Sequence, residues 1–87
     1  MKHAGPAALD RIEPLLVRLR ALPALKEKSR GTFYRGARAF LHFHEHGEEM
    51  FADVRLGAEF ERFPATSAKH QAALVKMVKS ALEITKR

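Results

Sequence analysis

Gly47 and Glu48 divide two runs of alternating residues, and this arrangement constrains the fold more than any other feature of the chain. A glycine at the first position of a two-residue loop suits a type II′ hairpin turn. The resulting register sets His44 opposite Phe51, Phe43 opposite Ala52, His42 opposite Asp53, Leu41 opposite Val54 and Ala39 opposite Leu56. Side chains alternate along a strand, so one face reads Ala39, Leu41, Phe43, Ala52, Val54 and Leu56, all apolar. A slip of one residue would mix that face with charges, so the pattern itself specifies the register.

The neighbouring segments extend this hairpin. A turn at Gly36 and Ala37 predicts Tyr34 opposite Ala39 and Phe33 opposite Phe40. Gly57-Ala58 leads into a further strand over Glu59–Phe63; its register stays open, because Phe60 and Phe63 are three apart and share no face without a bulge. Upstream, Leu9, Ile12, Leu16 and Leu19 recur at helical spacing, with Pro14 near the start and Pro23 as the stop. Downstream, Thr66 or Ser67 caps a second helix whose buried stripe is Leu74, Val75, Val78, Ala81 and Leu82. The chain therefore reads as one α+β domain over residues 1–87. An antiparallel sheet of three or four strands is flanked by an N-terminal and a C-terminal helix, in the order α-β-β-β(-β)-α.

Composition narrows the chemistry. The chain holds no cysteine, which removes disulfides, thiolate metal sites and cysteine nucleophiles. No apolar run is long enough for a signal peptide or a membrane span, so the expectation is a cytoplasmic protein without a membrane partner. Ser29, Ser67 and Ser80 lie in no nucleophile elbow, and there is no glycine-rich phosphate or dinucleotide loop. The reading leans against an enzyme and implies no cofactor. The net charge of +6 is bipolar: residues 39–63 hold six acidic side chains against two arginines, and basic residues dominate on either side.

Three candidate functions follow. If both helices cover the aliphatic face, the reverse face of Phe33, Phe40, His42, His44, Phe51, Asp53 and Arg55 is left open. An open apolar patch of this kind marks an interface. The leading expectation is a non-enzymatic interaction module that forms a homodimer through this aromatic face. A second reading is weak binding of nucleic acid or another polyanion, less favoured than a solvated basic surface. It would use Lys26, Lys28, Arg30, Arg35 and Arg38, extended by Lys69, Lys76 and Lys79 on the last helix. A third is a small-molecule or metal site. His42, His44 and His46 point one way along a strand, and two of them with Asp53 or Glu49 could offer three ligands to Zn²⁺. A plain cross-strand His–Asp pair would use the same residues.

The run Leu22-Pro23-Ala24-Leu25-Lys26-Glu27-Lys28, followed by Thr32-Phe33-Tyr34-Arg35-Gly36-Ala37-Arg38-Ala39-Phe40-Leu41, resembles the opening of small bacterial MmcQ/YjbR-like proteins. The resemblance spans about 35 residues, Leu22 to Leu56. It implies an α+β fold with DNA-binding or ligand roles proposed for such proteins, and it carries over no catalytic residue. Beyond Gly57 the chain departs from that pattern.

Overall fold

A computed structural model describes residues 1–84. In chain order the elements are β1 (Lys2–His3), α1 (Pro6–Arg11), α2 (Glu13–Arg20), β2 (Lys26–Ser29), β3 (Thr32–Arg35), β4 (Arg38–His46), β5 (Glu49–Arg55), β6 (Phe60–Pro64) and α3 (Ala68–Ile84). The fold is α+β with helices towards both ends, as expected, but the antiparallel sheet has six strands and not three or four. Five run in the order β2-β3-β4-β5-β6, and β1 pairs with the far end of β4.

The central hairpin has the register that the sequence dictates, from Leu41 opposite Val54 to His46 opposite Glu49. Gly47 has φ +62°, and among the described residues none other than glycine has positive φ, so Glu48 does not, as a II′ turn requires. Leu41, Phe43, Met50, Ala52 and Val54 form the buried face. They share one core with Leu9 of α1, Ile12, Leu15, Leu16 and Leu19 of α2 and its start, and Leu74, Val75, Val78 and Leu82 of α3. All three helices therefore bury their apolar stripes against the same side of the sheet.

Two expected pairings fail. Phe33 lies opposite Leu41 and not Phe40, because the register shifts between Phe33 and Tyr34. Phe40 is the extra residue of that bulge. Bulges relax strict alternation, and both phenylalanines enter the core, 0% and 4% exposed. Leu56 does not face Ala39 from a strand: β5 ends at Arg55, and Leu56 is 36% exposed. Strand β6 needs no bulge, since Phe63 joins the core side opposite Ala52 while Phe60 lies on the reverse opposite Arg55.

The expected N-terminal helix is two short ones. Pro14 has no N–H to give to the carbonyl four residues back, so the ladder breaks there. Ile12 takes φ −112°, ψ 19°, and its carbonyl accepts from Leu15 and Leu16 to start α2. At the other end, Ser67 caps α3 by accepting from the His70 amide at 3.1 Å. Thr66 instead latches onto β5, accepting from the Met50 amide at 2.8 Å.

Exposed arginines tie the helices to the first hairpin. Arg20 donates to Glu13 and Glu27, and Arg30 to Glu13 and Asp10. The Arg20 and Arg30 guanidinium groups hold the Glu13 carboxyl below its usual range. Burial works to raise that of Glu27, but hydrogen bonds from Arg20 and the Gly31 amide together lower it. A carboxylate depressed in the folded state stabilises above its unfolded pKa and loses that contribution as pH falls through the folded value. Arg20→Gln should therefore lower the urea midpoint at pH 7, and by less at pH 3, below the ordinary carboxylate range. A constant offset at both pH values would contradict this. Gly31 carries φ +83°, and an added Cβ would sit 2.7 Å from Leu9 Cδ2. Gly31→Ala should cost about 1–2 kcal/mol in urea unfolding from the backbone alone.

Candidate metal centre

The reverse face of the sheet belongs to a different set of residues from the one expected. Alternation in β4 and β5 puts His42, His44, Phe51, Asp53 and Arg55 there, and none of them joins the core. With Phe33 and Phe40 in the core, the three-phenylalanine patch is gone. Strand β6 contributes Phe60, Arg62 and Pro64, opposite Arg55, Asp53 and Phe51. Strand β1 contributes His3, opposite His44.

Its docking carries His3 into place. The Ala4 amide donates to the Phe43 carbonyl at 3.1 Å, and Glu45 accepts from the Gly5 amide at 2.7 Å, just ahead of α1. His3 then stacks on His44 with centroids 4.5 Å apart, and His42 meets His44 edge-on at 5.0 Å. One ligand-capable atom from each of His3, His42 and His44 lies within 4.8 Å of the others. Ligand nitrogens around tetrahedral zinc are about 3.3 Å apart, so each ring needs to turn inward by less than about 1 Å.

Polar satisfaction points the same way. The Nδ1 atoms of His42 and His44 are buried and make no hydrogen bond. His44 Nδ1 faces Asp53 Oδ2 at 3.1 Å, a contact outside hydrogen-bond geometry. A buried nitrogen without a partner is costly and calls for a reason. Burial lowers the pKa of both imidazoles; Asp53 pulls each upward, while His3 and Arg62 push each further down. Neutral imidazole is the form that ligates metal.

Asp53 is not free to be a ligand. Arg62 grips it through two bonds, Nε to Oδ1 at 2.8 Å and Nη2 to Oδ2 at 2.9 Å. That hydrogen bonding, opposed by burial, holds the Asp53 carboxyl below the ordinary range. Asp53 stands behind His44, where a carboxylate orients an imidazole ligand. Phe60 packs against His42 at 4.8 Å and carries the Arg55 guanidinium on its ring at 4.5 Å. Arg55 also donates to the Ala39 and Ala58 carbonyls, which fixes it as a structural strut. Glu49 and His46 are exposed at the hairpin end and stand outside the cluster.

The basic residues of the second reading fall in different settings. Arg30 is paired with Asp10 and Glu13, and Lys28 sits 4.9 Å over the Tyr34 ring. Lys26, Arg38 and Lys69 are exposed. Arg35 and Lys79 share a groove with Leu22, Pro23, Ala24 and Glu83, while Lys76 lines an adjoining one with Arg18 and Lys79.

Sequence reasoning missed His3, Arg62 and Phe60. A two-residue strand has no periodicity to betray it, and the other two depended on an unassigned β6 register. Comparison with family models, curated proteins and solved structures finds no match to this chain. No helix among the described residues is long and apolar enough to cross a membrane.

Asp53 is 7% exposed and is the one buried charged residue among the described residues. Asp53→Asn leaves Arg62 and the two histidines without their anion. It should cost about 1–3 kcal/mol in urea unfolding. A change below about 0.5 kcal/mol would mean the Arg62 pair does not hold this face together.

Proposed function

We propose that this chain is a metal-binding domain that holds a divalent transition ion on His3, His42 and His44, with Asp53 and Arg62 as the supporting pair. The observation that carries this reading is the convergence of three imidazoles from two strands, with one ligand atom of each within 4.8 Å of the others. An all-imidazole set suits zinc, copper or nickel and not magnesium or calcium. Three protein ligands leave a fourth position on zinc for another donor.

Zinc titration against a chromophoric chelator tests the reading. One equivalent should bind per chain, and His42→Ala and His44→Ala should each weaken binding by about 10-fold or more. His3→Ala should do the same, which separates a three-ligand site from a casual His-x-His pair. Binding that is unchanged in His3→Ala, or no binding by the parent chain, would defeat the proposal.

A further inference from the structure

Resting on the metal reading above, we infer that the fourth metal ligand is His46 from a second copy of this chain, so that zinc bridges two open sheet faces into a dimer. His46 is two residues beyond His44, on the same face of β4, exposed at the hairpin end. Its side chain makes no hydrogen bond, ion pair or ring contact among the described residues, and it is outside the three-histidine cluster. A strand step of two residues covers about 6.7 Å. His46 stands outside the group whose ligand atoms converge within 4.8 Å, so it does not close the site of its own chain, and a face-to-face pair related by a two-fold axis passing between His46 and the cluster would bring it to the site of the other copy. Such an interface is isologous: each copy gives its His46 to the other.

The remainder of the face accepts a second copy without opposing it. The Asp53 and Arg62 charges neutralise each other, and the Arg55 guanidinium is spent on two carbonyls and the Phe60 ring. Phe51 and Phe60 are half-buried there and offer apolar contact. Area decides what role the metal has. Three strands 4.8 Å apart and about 24 Å long, β4 to β6, present roughly 350 Å². A stable protein interface needs about 800 Å² from each partner. The face alone is too small to hold a dimer, so association must depend on the metal bond.

Sedimentation equilibrium with one equivalent of zinc chloride, and again with EDTA, tests this. The parent chain of 9.8 kDa should double its mass with zinc and return to the monomer with EDTA. His46→Ala, an exposed substitution, should still take up zinc in the chelator assay at dilute protein while staying monomeric at the concentration where the parent doubles. His3→Ala should remain monomeric as well. If the parent chain binds zinc yet keeps the monomer mass, or if His46→Ala dimerises like the parent, the bridge is wrong and the three-histidine site stands. If the parent binds no zinc in the dilute assay, the site fails, and the bridge with it.

Discussion

The pairing of β4 with β5 is the constraint on which the rest of this domain depends. Gly47 at φ +62° closes a two-residue turn, and that turn sets Leu41 opposite Val54, Phe43 opposite Ala52 and His44 opposite Phe51. A strand has only two faces, so one register decides at once which residues become core and which meet solvent. Leu41, Phe43, Ala52 and Val54 go under the helices, and His42, His44 and Asp53 go to the other side. Any slip would bury imidazoles and expose the core.

The two faces are stabilised by different physics. The helix side is apolar burial: Leu15, Leu16, Leu19, Leu41, Val54 and Val78 are fully buried. Removing a side chain of this kind from water contributes about 1.5–3 kcal/mol. Among the described residues no helix joins the reverse side, and its polar groups cover one another. His3 lies over His44, Arg62 clamps Asp53, and Phe60 leans on His42. The result is a compact polar cluster on which three imidazoles converge. A cation would be held by their ring nitrogens, and the arginine-bound aspartate keeps a negative charge beside it.

The fold was legible in the sequence wherever alternation or helical spacing ran for several residues. The hairpin register from Leu41 to His46, the Gly36 turn and the stripe of α3 apart from Ala81 all come from such patterns. The rest failed for physical reasons. The Phe40 bulge breaks alternation locally, so both Phe33 and Phe40 turned inward against expectation. Pro14 divided an otherwise continuous apolar stripe into two helices. Half of the candidate site was visible as His42, His44 and Asp53. His3 was hidden because Lys2–His3 pairs with a strand forty residues away, a tertiary contact that leaves no local trace.

The central claim is that imidazoles from the N-terminus and from β4 meet on one ion. Zinc K-edge X-ray absorption on the protein loaded with one equivalent tests it most directly. The account predicts a shell at about 2.0 Å with at least three imidazole ligands, falling by one in His3→Ala. A shell dominated by oxygen, or one unaltered in His3→Ala, would contradict it.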